Sequence, residues 1–274
     1  MKIIANRSVT MSLLDQYQVK VRKNYGQNFI IDPSIVSKIA QNCGATKTTT
    51  VLEIGPGLGS LTQQLALVAK EVISYEIDPQ MVEVSSHELA DLNVRIIHQD
   101  FMEADLSEIK ADDLVVCSNV PYYITTPIIF KCLESQLPVK QLTLMVQKEM
   151  AQRLNAHVNS KHYNALSVIM ELFFERKTLM QVPADCFYPK PNVDSTVIQL
   201  IRNQNDVLAK QDFIVFVKKC FTQRRKTLVN NLKQDYPMIE EVLRQCAISP
   251  SIRAQELTVQ QFVALYDKLS SIKL

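Results

Sequence analysis

All five glycines of this 274-residue chain lie before residue 60, and three fall within five positions: Gly55, Gly57 and Gly59. Average usage of about 7% would supply roughly 19. The three sit in V-L-E-I-G-P-G-L-G, residues 51–59, where an apolar run enters a turn and an amphipathic stretch starts at Ser60. Glycine alone takes left-handed backbone angles without strain and lets a ligand approach the main chain. A helix N-terminus after such a turn favours a phosphate or carboxylate. The spacing is G-x-G-x-G, not the G-x-G-x-x-G of dinucleotide sites. No G-K-[ST] follows, so it is not a Walker loop either.

The rest of the chain repeats that strand-then-helix rhythm. Runs at 50–54, 72–76, 94–97, 114–118, 142–147, 178–182 and 193–201 are rich in Val, Ile and Leu without alternation. Such runs predict strands covered on both faces. Amphipathic stretches at 60–69, 79–89 and 127–135 lie between them. The alternation predicts a Rossmann-like α/β domain over 27–202, mostly parallel. The last two strands are separated only by a proline-rich turn from Pro183 to Pro191, which predicts an antiparallel closing hairpin. A polar run, Asn203-Gln204-Asn205-Asp206, then changes the pattern. Helical periods at 213–221, 226–232, 238–246 and 258–269 predict a small all-helical domain over 203–274. Residues 1–26 read as a basic N-terminal arm.

Composition excludes several classes. Hydrophobic residues make up 47% and charged residues 21%, so the chain is neither disordered nor a charged tail. No run of 18 apolar residues exists to cross a membrane, and the cation-bearing start is not a secretory signal, so a cytoplasmic protein is expected. The six cysteines include no C-x-x-C pair, and the four histidines show no ligand spacing; neither a disulfide framework nor a metal is expected. Net charge is only +2, but residues 1–26 carry +4, residues 27–199 carry −7 and residues 200–274 carry +5. Basic ends flanking an acidic body point to a polyanionic partner gripped outside the catalytic body.

Two acids follow the glycine turn at strand ends. Glu76 closes the second strand, 21 residues after Gly55, where a carboxylate accepts from both hydroxyls of a ribose. Asp100 closes the third, before Phe101, at the level of an adenine ring whose amino group it could accept from. An adenosine with a carboxylate-bearing arm fits this set, and S-adenosylmethionine has that shape. The fourth strand ends in S-N-V-P-Y-Y-I, residues 118–124. An exocyclic amine on a nucleobase is planar and a poor nucleophile. Acceptors at its two hydrogens favour the pyramidal form found near the transition state. Asn119 offers a side-chain oxygen, Pro121 a carbonyl in a locked turn, and Tyr122 a ring to stack on an extruded base.

With these residues in place, the chain resembles the ribosomal RNA adenine dimethyltransferases, of the KsgA type acting on small-subunit rRNA. The resemblance spans about residues 20–270. It is carried by Y-G-Q-N-F at 25–29, V-L-E-I-G-P-G-L-G at 51–59, N-V-P-Y at 119–122, M-V-Q-K-E at 145–149, F-Y-P-K-P-N-V-D-S at 187–195 and F-T-Q-R-R-K-T-L at 221–228. It implies a class I methyltransferase sheet. It implies that Asn28, Ile30, Gly55, Gly57, Glu76, Asp100, Phe101 and Asn119 contact the methyl donor. Asn119, Pro121 and Tyr122 would hold the target base, and Phe187 would stack on its other side. The family converts two adjacent adenosines near the 3′ end of small-subunit rRNA to dimethyladenosines, using four S-adenosylmethionine molecules. Lys20, Arg22, Lys23, Lys148, Arg224, Arg225 and Lys226 would then grip phosphates of 16S rRNA in the 30S subunit or its precursor, the three cations 224–226 opening a helix. A monomer is expected.

The chain departs from the family pattern at Val120, usually Leu, at Tyr123, often Asn, and at Tyr25, usually Phe. Rival readings share parts of the pattern: a 23S rRNA adenine methyltransferase of the macrolide-resistance type, and a non-catalytic nucleic-acid-binding factor on the same fold. The R-R-K-T-L run and the Lys148-Glu149 context favour the small-subunit type, and the intact donor motifs favour an enzyme. A dinucleotide dehydrogenase is disfavoured by the glycine spacing.

Overall fold

In the computed structural model, which describes residues 2–22, 26–135, 137–203 and 211–272, the apolar runs form one seven-stranded sheet. Its strands are β2 (Thr50–Ile54), β3 (Glu71–Glu76), β4 (Val94–His98), β5 (Leu114–Asn119), β6 (Val139–Gln147), β7 (Phe174–Val182) and β9 (Ser195–Arg202), in the order β4-β3-β2-β5-β6-β9-β7. Neighbours from β4 to β6 pair in parallel, and β9 pairs antiparallel to β6, Thr143 opposite Gln199. The sequence reading of a mostly parallel sheet with an antiparallel last strand holds. A second sheet has two strands, β1 (Phe29–Ile30) and β8 (Phe187–Tyr188), antiparallel with Ile30 opposite Phe187. Such a short pair leaves no readable period.

The helices before β7 are α1 (Arg7–Gln16), α2 (Pro33–Asn42), α3 (Ser60–Val68), α4 (Pro79–Glu88), α5 (Thr125–Glu134), α6 (Lys148–Leu154) and α7 (Ala165–Phe173). Later come α8 (Gln211–Cys220), α9 (Leu228–Leu232), α10 (Ile239–Gln245) and α11 (Val259–Ile272). α2 and α4 start alike. In each an Asp-Pro pair supplies an N-cap whose carboxylate accepts from the backbone two residues on, Asp32 from Ser34 and Asp78 from Gln80. Proline at the first helical position loses no hydrogen bond that the helix would have made.

The chain divides into two compact units, but not at one break. The first holds Met1–Ala151 and Lys177–Arg202; the second holds Gln152–Arg176 and Asn203–Leu274. Expecting a separate arm over 1–26 and a boundary at 203 misses two things. Residues 1–22 belong to the first unit: Ile4, Leu13 and Leu14 are buried, and Gln63 of α3 accepts from the Ile4 backbone at 3.1 Å. The segment 152–176 belongs with the later helices, because α7 is apolar nearly all round and buries Leu166, Val168, Ile169, Met170 and Phe173, packing on α8 and α11. Tyr163 adds a buried hydroxyl that donates to the Leu257 carbonyl at 3.1 Å. Of the polar run 203–206, residues 204–206 lie outside the described residues. Among the described residues no helix is long and apolar enough to cross a membrane, and no group of three or more His, Cys, Asp or Glu side chains could hold a metal ion.

Candidate active site

β2, β3, β4 and β5 all end at one edge of the sheet, and the turns that follow them line one cleft of the first unit. The β2 turn is held by glycines in the left-handed region, with φ +56° at Gly57 and +88° at Gly59. A Cβ at Gly59 would come within 2.8 Å of Leu89, and one at Gly57 within 3.3 Å of the Phe29 ring. The left-handed angle therefore favours glycine at both positions, and the space there is tight as well. The turn delivers the chain into α3 with the Ser60 hydroxyl oxygen buried, in the cleft lining, and without a hydrogen-bond partner among the described residues. A buried hydroxyl left unpaired is costly unless a ligand meets it.

Glu76 is almost wholly buried at the end of β3. Its Oε2 accepts from the Gly57 backbone N–H at 3.1 Å and its Oε1 from that of Asp78 at 2.9 Å. Burial raises its pKa above the usual carboxylate range, and the two backbone donors oppose that rise. The carboxylate is thus locked in direction, with lone pairs left for a ligand. Asp100 follows β4 and is fixed by its own turn, Oδ1 accepting from the Met102 N–H at 2.8 Å. Phe101 is buried edge-on to Tyr75, ring centroids 5.6 Å apart.

Asn119 ends β5 half-buried, and its Nδ2 donates to the Asn28 carbonyl at 3.3 Å. That bond sets the amide so that Oδ1 is its acceptor end. Val120 is buried, and Pro121 opens a short 3₁₀ turn, residues 122–124. The Pro121 carbonyl, expected as a second acceptor, already accepts from the Ile124 N–H at 3.1 Å; one lone pair remains. Tyr122 is pinned through its hydroxyl, 2.7 Å from the buried Ser195 Oγ, and burial raises its pKa, so it stays a neutral phenol.

Asn28, Ile30, Gly55, Gly57, Glu76, Asp100, Phe101, Asn119, Pro121 and Tyr122 all line this cleft. Its volume is about 1120 Å³, the open space at its mouth included. Phe187 is the exception. Its ring is buried in the hydrophobic core with Val36, Ile39 and Val182 and is absent from the cleft lining, because β8 pairs with β1 and turns it inward. The structure does not support its expected stacking role.

The cations are dispersed. Lys20 and Arg22 lie exposed on the chain that leads to β1. Arg22 Nε stands 3.8 Å from Asp78, and its N–H donates to Gln27. Lys23 lies outside the described residues. Lys148 is exposed at the start of α6. In the second unit Arg224, Arg225 and Lys226 are exposed, and Arg224 Nη2 donates to the Lys161 carbonyl at 2.6 Å. These three do not open a helix as expected. They form a turn ahead of α9, whose N-cap is Thr227, because the Thr227 hydroxyl accepts from Asn230 and ends the turn there.

Three cleft features escaped the sequence reading. Gln27 donates to buried Asp78 at 2.8 Å, tying the segment before β1 to the turn after Glu76. Glu53 is fully buried in β2, accepts from Ser74 at 2.8 Å, and burial pushes its pKa up to about 7. An acid inside an apolar strand run was a readable signal for it. Lys131, on α5, reaches the Asp100 turn; a cation on an amphipathic helix gives no such signal.

A family model described as ribosomal RNA adenine dimethylase matches residues 18–271. A protein of Bacillus licheniformis called ribosomal RNA small subunit methyltransferase A is 41% identical over 290 residues, covering 100% of this chain and 99% of that protein. A Staphylococcus epidermidis protein of the same name is 39% identical, covering 97% of this chain and 96% of its own. Among solved structures, a dimethyladenosine transferase from Plasmodium falciparum is 26% identical with a TM-score of 0.78, over 89% of this chain and 98% of that one. The 23S rRNA methyltransferase ErmE is also 26% identical, with a TM-score of 0.68, over 88% of this chain and 99% of that one.

Proposed function

Since the chain belongs to the ribosomal RNA adenine dimethylase family and is a methyltransferase, we propose that it dimethylates the exocyclic amines of two adjacent adenosines in the 3′-terminal hairpin loop of 16S rRNA. The observation that carries this reading is the meeting of Glu76, Asp100, Asn119, Pro121 and Tyr122 on one cleft. The small-subunit substrate is supported by relatives near 40% identity named for that subunit, against 26% for the large-subunit enzyme. The protein works as a monomer in the cytoplasm, on the 30S subunit or its precursor, and contributes to ribosome biogenesis.

The cleft fits S-adenosylmethionine. Glu76, aimed by two backbone N–H groups, accepts from the ribose hydroxyls. Asp100 accepts from the adenine amino group and Phe101 packs beside the ring. Asn28, Ile30, Gly55 and Gly57 form the wall along the donor, and the unpartnered Ser60 hydroxyl at the start of α3 meets its carboxylate. S-adenosylmethionine supplies an electrophilic methyl group. The chain's own residues prepare the nucleophile. Tyr122 stacks on the extruded base, its ring held by Ser195. Asn119 Oδ1 and the remaining lone pair of the Pro121 carbonyl accept from the two amine hydrogens, which draws the nitrogen toward its pyramidal form. No side chain takes a proton beforehand. The amine proton leaves after methyl transfer. Lys20, Arg22, Lys23, Lys148 and the 224–226 turn hold phosphates, which position the RNA without reading its sequence.

Mass spectrometry of small-subunit rRNA from cells with and without the gene tests this. Dimethyladenosine should be present at two adjacent positions and lost on deletion. Loss of a methyl group from 23S rRNA instead would overturn the reading.

A further inference from the structure

The turn that carries Asp100 and Phe101 is short of support from its own strand. β4 ends at His98, and residues 100–104 close on themselves through Glu103 N–H to the Asp100 carbonyl at 3.0 Å and Ala104 N–H to the Phe101 carbonyl at 3.3 Å. The carbonyls of Met102 and Ala104 point away from that turn and end on one group. Lys131 Nζ donates to Met102 O at 2.8 Å and to Ala104 O at 2.7 Å. The same ammonium stands 5.4 Å from the centroid of the Phe101 ring, within cation–π reach. Three contacts from one half-buried cation therefore fix the turn from behind.

Lys131 sits on α5, and α5 issues directly from the 122–124 turn after Pro121. Thr125 and Lys131 are about 9 Å apart along the helix at 1.5 Å per residue. A single rigid element thus begins at the residues that face the target base and ends its reach on the turn that faces the donor.

We infer that Lys131 is a positioning residue that sets the Asp100 carboxylate for the 6-amino group of the donor's adenine, and that through α5 it ties this turn to the base-holding turn. The inference rests on the donor reading above. Lys131 touches no donor atom in this scheme; it acts through the backbone that carries Asp100. Its removal acts on adenine selectivity rather than on donor affinity in general.

Calorimetric titration with S-adenosylhomocysteine and with its analogue lacking the 6-amino group tests this on the wild-type protein, Lys131→Met and Lys131→Arg. Wild type should prefer the amino-bearing ligand. Lys131→Met keeps the stem and loses the donors; it should lose about tenfold in affinity for that ligand, the scale of a bond to a charged group, with little change for the analogue. Lys131→Arg, which still donates to carbonyls, should keep most of the preference. Lys131→Leu, which also has no donor, gives the same readout should Lys131→Met fail to fold. A folded Lys131→Met or Lys131→Leu that keeps the wild-type ratio overturns the inference, even if both affinities or the melting temperature fall, because that is a merely structural lysine. If wild type itself shows no preference, the adenine reading of Asp100 falls, and the inference falls with it.

Discussion

Glu76 at the end of β3 and Arg224 in the 222–226 turn are both charged groups with a proposed ligand, and their surroundings are opposite. Glu76 is 6% exposed, with both carboxylate oxygens already held by backbone N–H groups. Arg224 is exposed, and its Nη2 donates to the Lys161 carbonyl. The first arrangement spends burial on direction: desolvation disfavours the charge, and two fixed dipoles restore it along one line. The second leaves the charge exposed to solvent, with one anchor at the Lys161 carbonyl. A hydroxyl pair on a ribose must be met at defined angles, which suits Glu76. A phosphate chain of varying path is met by loosely held cations, whose attraction is screened by salt. Where the protein needs geometry it buries charge and braces it; where it needs attraction it leaves charge in water.

Asn119 stands at the geometric extreme of this comparison and should show the largest effect. Its amide is braced by the Asn28 carbonyl, so Oδ1 is fixed before any base arrives. The proposed bond to the target amine strengthens as the nitrogen pyramidalises, so its loss falls on the transition state. Asn119→Ala should lower single-turnover methylation by about 100–1,000-fold at saturating donor and RNA, the range for one oxyanion-hole donor. Donor and RNA affinities should change much less. A folded variant within about threefold of wild type, small beside that range, would move the chemistry off this turn.

The bracing itself was only partly legible beforehand. The strands were readable because Val, Ile and Leu runs without alternation have one good solution, burial on both faces. Gly55, Gly57 and Gly59 were readable because glycine is otherwise scarce in this chain. Strand-end acids were readable from their place after the glycine turn. What fills the gaps was not. α7 reads A-L-S-V-I-M-E-L-F, with only Ser167 and Glu171 polar, too short and too apolar a run to be told from a buried strand. Phe187 had its base-stacking role from the family resemblance alone. Only its pairing with Ile30 turns the ring inward, and that contact joins residues far apart in sequence. Long-range contacts of two residues leave no local trace, and the same is true of Lys131 on the Asp100 turn.

Glu76 sharpens the comparison from the donor side. Glu76→Ala should weaken donor binding by about 1–3 kcal/mol, the cost of leaving buried hydroxyls without an acceptor, or roughly fivefold to 150-fold in Kd. Because burial raises its pKa, Glu76 loses charge at a higher pH than an ordinary carboxylate. Wild-type affinity should therefore fall as pH is lowered toward the carboxylate range, and Glu76→Gln should start weak and flatten that dependence. Calorimetry across pH reads both. Unchanged affinity in folded Glu76→Ala would remove the ribose role.

The cationic turn should show the smallest effect per residue and a different signature. Arg224, Arg225 and Lys226 are exposed, in a stretch, residues 200–274, of net charge +5. If Arg224 and Arg225 each neutralise one phosphate, replacing both by Ala removes two released counterions. The slope of log affinity for the ribosomal particle against log salt should then become shallower by about 1.4–1.8. Donor affinity should stay at the wild-type value, because neither residue lines the cleft. Arg224 also donates to the Lys161 carbonyl, so its loss alone could loosen the 157–163 stretch of the same unit. Arg225→Ala alone should still reduce the slope by about 0.7–0.9. Filter binding of the particle from low to high salt separates the two contributions. A double variant with the wild-type slope would make this turn a solvated surface and leave attraction to the other cations.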